Sequence, residues 1–349
     1  MAISTKAKEI LNRPDLIKQR DLWFERMQTV FLSGTSSWNQ QYILGVNGIV
    51  GVGKHNPYTE PELWVEDCLE DLATRYEALE NNIYFRPLCV EYPVYGVHYI
   101  DKMLGANVYF YEGQWYNDYL PTPIGQLTSP DLQQDEVWSI TKRAVNAFLE
   151  ADVALPLFGL PTIASALNIA VNLYGGEILM EMLTEPDNAS ADLTTINNLL
   201  CELHTTLRGM IPMQQLQPVI SWNRTQPPGY GQLCGCTTQL LSPSLYEEFI
   251  APLDEKLLSV YPHGGMIHLC GSHTQHLDTF RKMKSLKALQ LNDRAAADLS
   301  IYFEQLREDQ IIYLNPCKEL SIEKALEITH GERLIIAADL DAPICRPKE

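Results

Sequence analysis

The chain has 349 residues, of which 46% are hydrophobic and 20% are charged, ordinary values for a globular protein. Its formal net charge of −18 argues against a surface for nucleic acid or for an anionic membrane, because such surfaces need clustered lysine and arginine. The N-terminus MAISTKAKEILNRPDL lacks the apolar segment of a signal peptide, and no apolar run is long enough to cross a membrane. We therefore expect a cytoplasmic protein, in which the eight cysteines are free thiols or metal ligands rather than disulfides.

The first eighty residues are predicted to be mainly helical, in the segments KQRDLWFERMQTVFL and TEPELWVEDCLEDLATRYEALE. The stretch that follows, IYFRPLCVEYPVYGVHYIDKMLGANVYFYEGQWY, is rich in β-branched and aromatic residues and predicts strands and loops. From about residue 130, helices alternate with short apolar strands: ALPLFG, PVISWN, MIHLC, KALQL, IIYLN and RLIIAAD. Such strands indicate parallel pairing with both faces buried. The alternation fits either a doubly wound sheet or a (β/α)8 barrel, and periodicity does not separate the two.

Groups able to bind a metal follow the strand MIHLC. His268 and Cys270 are two residues apart in a strand, so their side chains share a face, and imidazole and thiolate are ligands that zinc prefers. In parallel α/β proteins functional side chains project from the carboxyl ends of strands. Polar groups at other predicted strand ends or just before a helix cap are Cys234, Cys236, Asn292, Asp293, Cys317, Asp339, Asp341 and Cys345. Their joint placement favours a metal site, although a single intracellular cysteine is often a small buried hydrophobe.

The segment GIVGVGKH, residues 48–55, approaches the pattern of a phosphate-binding P-loop. His55 stands where that loop needs a hydroxyl for magnesium, and Pro57 follows where its helix would begin. We therefore interpret the segment as a loop between helices and expect no nucleoside triphosphate chemistry there.

The second half of the chain resembles the uroporphyrinogen decarboxylase superfamily. The resemblance is carried by PLFGLPTIASALNIAVNLYGGEILMEMLTEPD, LLSPSLYEEFIAPLDEKLLSVY, GGMIHLCGSHTQHLDTFRKM and YLNPCKEL, and it extends from about residue 85 to 340. It implies a (β/α)8 TIM barrel in which residues 1–349 form one domain, with residues 1–80 as an N-terminal helical extension.

Within that superfamily, the chain lacks the arginine-containing N-terminal motif of the decarboxylases. It is more similar to the methylcobamide:coenzyme M methyltransferases and related corrinoid demethylation enzymes, which hold zinc with His-x-Cys and a distant cysteine. The resemblance assigns His268 and Cys270 as ligands and Cys345, in Ala-Pro-Ile-Cys, as the third, with Cys317 as its substitute. The turn before Cys345 carries Ile344 where the family has glycine, and the chain stops at Glu349.

The resemblance implies a zinc-dependent methyltransferase that moves a methyl group from a corrinoid on a partner protein to a small thiol or similar acceptor. It places Cys236, Asn292 and Asp293 at the substrate. Two alternatives remain open: a metal-free carboxy-lyase, and a non-catalytic barrel that serves a corrinoid protein. The oligomeric state is also open, with a homodimer among the alternatives.

Overall fold

The computed structural model of the protein describes residues 3–34, 43–80, 83–160, 164–219 and 224–338. Within them, strands β1 to β11 are Ile43–Val46, Ile49–Val50, Leu88–Glu91, Val108–Tyr111, Gln114–Asn117, Leu157–Gly159, Gly231–Cys234, Gly265–Leu269, Leu286–Leu291, Ile311–Leu314 and Leu334–Ala338. Helices α1 to α14 are Thr5–Leu11, Pro14–Ser33, Pro61–Ala73, Tyr99–Met103, Glu136–Glu150, Ala166–Tyr174, Glu177–Thr184, Pro186–Met210, Pro243–Leu245, Ala251–Leu258, Leu277–Lys282, Asp293–Ala297, Leu299–Gln305 and Ile322–Thr329. A π-helical turn, Tyr246–Ile250, connects α9 to α10.

Two parallel sheets organise the fold. One has six strands in the order β1-β11-β10-β9-β8-β7, and the other has the order β2-β3-β6. Isolated parallel bridges join the edge strands of the larger sheet to segments beside the smaller one, from Gly45 to Phe85, which precedes β3, and from Cys234 to Ala164, which follows β6. The antiparallel pair β4-β5 forms a separate hairpin. The predicted α/β class with parallel strands is therefore confirmed.

Most described residues in the strands of the larger sheet are buried. Every residue of β8, β10 and β11 is buried, as expected for a parallel sheet with both faces covered. One hydrophobic cluster includes Val90 of the smaller sheet and Leu289 and Ile336 of the larger one. The chemistry-bearing side chains thus stand above a packed apolar core, at the carboxyl ends of the strands.

The N-terminal region differs from the predicted helical extension. Helices α1, α2 and α3 are present, but the segment ILGVNGIV contributes β1 and β2, which pair with β11 and β3 respectively. The apolar character of this segment suits a buried parallel strand, and its position in the sheet depends on partners far away in sequence. Strand β7 was not predicted from the sequence, and part of the predicted strand PVISWN, residues 220–223, lies outside the described residues.

In the part of the chain that the structure describes, no helix is both long enough and apolar enough to cross a membrane.

Candidate metal centre

The candidate site lies where β7 and β8 end side by side. The two strands pair in parallel, and their register places Cys234 opposite His268. After β7 the chain turns at Gly235, whose amide donates to the carbonyl of His268, and enters a short 3-10 helix at Cys236. A Cβ on Gly235 would lie 2.8 Å from Cγ2 of Ile267, so the close approach of this turn to β8 requires glycine.

Three thiols and one imidazole converge at this edge. The Sγ atoms of Cys234 and Cys236 are 3.4 Å apart, and Nε2 of His268 is 3.0 Å from Sγ of Cys270. The ligand atoms of Cys234, Cys236 and His268 all lie within 4.8 Å of one another. The predicted shared face of His268 and Cys270 is therefore present, and β7 adds two further sulfur donors.

Side chains from two more strands orient the imidazole of His268. Its Nδ1 is hydrogen-bonded to Oε1 of Gln290 on β9, and Nε2 of Gln290 donates to Oδ1 of Asn315 at 2.7 Å. Since an amide oxygen only accepts, Nδ1 of His268 carries the proton and Nε2 keeps its lone pair toward Cys270. This arrangement resembles the outer hydrogen bonds that fix metal-binding histidines in other proteins.

The thiols of this group influence one another. Hydrogen bonds to Cys234 and Cys270, together with burial, raise the pKa of Cys236. The hydrogen bond with Cys236 lowers the pKa of Cys270, and His268 and Arg224 lower it further. The pKa of Cys234 is lowered as well, first by its hydrogen bond with Cys236 and then by the nearby charge of Arg224. The pKa values of Cys234 and Cys270 are thus shifted toward the thiolate, the form that binds metals.

A cavity of about 380 Å³ opens beside His268 and Cys270, and it is lined by Arg224, His268, Cys270, Gln290, Asn292 and Asn315. Nη2 of Arg224 is 3.2 Å from Nε2 of His268, and Nε of Arg224 is buried without a hydrogen-bond partner among the described residues. The lining thus combines one cation with amide groups, a chemistry suited to a small polar molecule next to the thiols.

The donor set fits zinc. Thiolate sulfur and imidazole nitrogen are the usual ligands of tetrahedral zinc sites, and this group offers both from two adjacent strands. Nε2 of His268 faces Sγ of Cys270, and the Arg224 guanidinium also lies close to this nitrogen. The residues present can therefore hold zinc without a change of strand register.

The other predicted site residues have different positions. Asn292 lines the cavity, whereas Asp293 is exposed at the start of α12 and accepts a hydrogen bond from Asn292 at 3.4 Å. Cys317 lies in a turn closed by backbone hydrogen bonds with Leu320. Cys345 lies outside the described residues.

Sequence reasoning missed the amide relay and Arg224. Gln290 is the fourth residue of KALQL, which the apolar pattern predicts as a buried strand. It stands two residues before Asn292, which follows β9, so the two-residue period of a strand was the available signal. Asn168 lies in the first turn of α6, after the Ser165 cap, and its Nδ2 is 3.5 Å from Sγ of Cys234. Nothing in the sequence indicated that this side chain would reach the thiols.

The loop that approaches the P-loop pattern has its backbone amides engaged. The carboxylate of Asp67 accepts from the amides of Lys54 and His55 at 2.7 and 2.9 Å, and Asp71 accepts from the amide of Val52 at 3.0 Å. These internal carboxylates occupy the donors that a phosphate would need. The expectation of no nucleotide chemistry stays a prediction, now with a structural reason.

No known protein-family model matches this sequence, and no curated protein matches it significantly. A methyltransferase from Methanosarcina mazei has a similar structure, with a TM-score of 0.61 and 13% sequence identity. The similarity covers 90% of this chain and 92% of that chain. At this identity the likeness shows the fold alone, and it agrees with the α/β architecture described above.

Proposed function

We propose that this protein is a zinc-dependent methyltransferase that transfers a methyl group from a methylated corrinoid, carried by a partner protein, to a small thiol. The observation that carries the proposal is the convergence of His268, Cys270 and neighbouring thiols beside a polar cavity at the carboxyl ends of the strands. The similarity to a fold used by a methyltransferase supports it, as does the resemblance of the His-x-Cys strand end. We further propose that the two parallel sheets close into a barrel of the (β/α)8 type.

The protein's own side chains have distinct parts in this proposal. When bound, zinc would lower the pKa of an acceptor thiol so that it reacts as thiolate. Gln290 holds His268 in the tautomer that directs Nε2 toward the metal position. Arg224, Asn292 and Asn315 line the cavity in which the polar end of the acceptor would bind.

The proposed transfer is balanced by the loss of one proton. The acceptor sulfur forms a bond to the methyl carbon, the cobalt–carbon bond of the corrinoid breaks, and its electron pair stays on cobalt. The thiol proton leaves to solvent. Arg224, as a fixed cation 3.2 Å from His268, favours negative charge on the acceptor sulfur before transfer.

The test is methyl transfer from methylcobalamin to a series of small thiols, followed by the loss of methylcobalamin absorbance and by mass detection of the thioether. We expect transfer that chelation abolishes and zinc restores, and we expect His268→Ala to be inactive. Chelation-insensitive release of carbon dioxide from a carboxylated substrate, without methyl transfer, would instead support the lyase. A metal-free protein that only binds a corrinoid protein would support the accessory role.

A further inference from the structure

We propose that the two remaining metal ligands are Cys234 and Cys236, so that zinc is held by two neighbouring strand ends and not by Cys345 or Cys317. The resting set is then Cys234, Cys236, His268 and Cys270, three thiolates and one imidazole, and an acceptor thiol would bind in place of one of these thiolates or as a fifth ligand. This inference rests on the metal site of the proposed function, and it replaces the ligand that the sequence pattern assigned.

The geometry of β7 carries the first step. Cys234 is the Cα partner of His268, so the two strands bring these side chains together without any loop rearrangement. The Sγ atoms of Cys234 and Cys236, at 3.4 Å, are already near the separation of two sulfurs bound to one tetrahedral zinc at about 2.3 Å each. Both sulfurs lie within 4.8 Å of the His268 ligand atom.

Cys236 connects the pair on β7 to Cys270 on β8. Its thiol is hydrogen-bonded to Cys234 and also interacts with the thiol of Cys270, which itself lies 3.0 Å from Nε2 of His268. The ligand atoms of Cys234, Cys236 and His268 all lie within 4.8 Å of one another, and Cys270 joins this group through His268 and Cys236. An ion placed among them would replace the hydrogen bonds among these thiols and the contact of Cys270 with His268 Nε2.

Each strand contributes its pair through a short local pattern. Cys-Gly-Cys begins at the last residue of β7 and His-Leu-Cys runs one residue past the end of β8, and the hydrogen bond from the Gly235 amide to the His268 carbonyl, at 2.9 Å, holds the two ends together. Strand pairing thus orders the ligands largely before any metal binds, and this lowers the entropy cost of metal binding.

Cys317 is engaged elsewhere. Its amide donates to the Leu320 carbonyl at 3.2 Å and its carbonyl accepts from the Leu320 amide at 3.1 Å. Its thiol interacts with the carboxylate of Glu319.

The first experiment uses the wild-type chain and needs no variant to fold. Cysteine alkylation with N-ethylmaleimide is followed by mass spectrometry of peptides, with chelator and with added zinc. We expect zinc to slow the alkylation of Cys234, Cys236 and Cys270 and to leave the rates at Cys317 and Cys345 unchanged. Zinc protection of Cys317 or Cys345, with Cys234 and Cys236 still reactive, would overturn the proposal.

The second experiment counts thiolates. Cobalt(II) replaces zinc, and the sulfur-to-cobalt charge-transfer absorption is compared in the wild type, Cys234→Ser and Cys236→Ser, with Cys317→Ser and Cys345→Ser as controls and circular dichroism as the measure of folding. We expect the two test variants to lose part of this absorption. We also expect their zinc affinity to fall by more than the roughly 10–100-fold that removing an outer hydrogen-bond partner costs. Unchanged absorption in both test variants, or wild-type protein that binds no metal, would refute the ligand set.

These readouts are independent of methyl transfer. A protein that binds zinc through all four side chains but transfers no methyl group would uphold the ligand set and refute the proposed function, because four protein ligands are typical of structural zinc sites. Methyl transfer that depends on zinc bound through Cys345 would uphold the proposed function and refute the ligand set.

Discussion

Replacement of Gln290 by leucine should weaken zinc binding without removing a ligand. Gln290 is 1% exposed, and its amide joins His268 on one side to Asn315 on the other. Leucine has a similar volume but no hydrogen-bonding group, so the Nδ1 proton of His268 and Oδ1 of Asn315 both lose their partner. The imidazole can then rotate or take the other tautomer, and Nε2 is no longer held toward Cys270.

The expected magnitude follows from the kind of contact that is lost. Removing the partner that orients a metal-binding histidine costs roughly 10–100-fold in metal affinity. This factor corresponds to about 1.4–2.7 kcal/mol, within the range of one or two unsatisfied buried polar groups. Gln290→Glu should retain most of the affinity, because a carboxylate also accepts from Nδ1 and the Asn315 amide can turn to donate to it.

The assay is a zinc titration in competition with a chromophoric chelator, with thermal unfolding measured in parallel. Gln232→Leu is the matched control: Gln232 is 2% exposed on β7, which β8 separates from β9, and its side-chain amide has no hydrogen-bond partner among the described residues. We expect this control to bind zinc as the wild type does. Equal zinc affinity in Gln290→Leu and Gln232→Leu would refute the orienting role of Gln290.

Three further outcomes are expected. Equilibrium dialysis should detect no saturable ATP binding, because Asp67 already accepts hydrogen bonds from the loop amides. Saturable binding that Lys54→Ala abolishes would contradict this. Arg224→Met should raise zinc affinity in the chelator titration, because it removes a cation 3.2 Å from His268 Nε2; lower affinity would contradict this. Burial raises the pKa of Asp254 from 3.8 to about 7, so its favourable contribution to stability is complete below about pH 4 and is lost as the pH rises through 7. Asp254→Asn should therefore gain stability relative to wild type between pH 5 and 8, by on the order of a few kcal/mol in urea unfolding; a constant difference would contradict the burial argument.

Local patterns predicted the second half of the fold better than the first. The strands β8 to β11 are short apolar runs between amphipathic helices, and each pairs with a neighbour that lies close to it in sequence. The strands β1 and β2 lie between helices in a region without alternation, and β1 gains its place only by pairing with β11 at the far end of the chain. Pairing over such a distance leaves little trace in the composition of either segment.

The candidate site shows the same limit at the scale of single side chains. That His268 and Cys270 share a face follows from the two-residue period of a strand, so it could be read from the sequence. Their neighbours could not, because contacts across a sheet depend on register: Cys234 is opposite His268, and Gln290 is opposite it on the other side. The family pattern assigns Cys345, after the last strand, as a ligand, whereas the pairing of β7 with β8 places Cys234 and Cys236 beside the imidazole of His268. Since paired strands hold their side chains together before a metal arrives, the nearer thiols have the smaller ordering cost, and they are the ones we expect zinc to select.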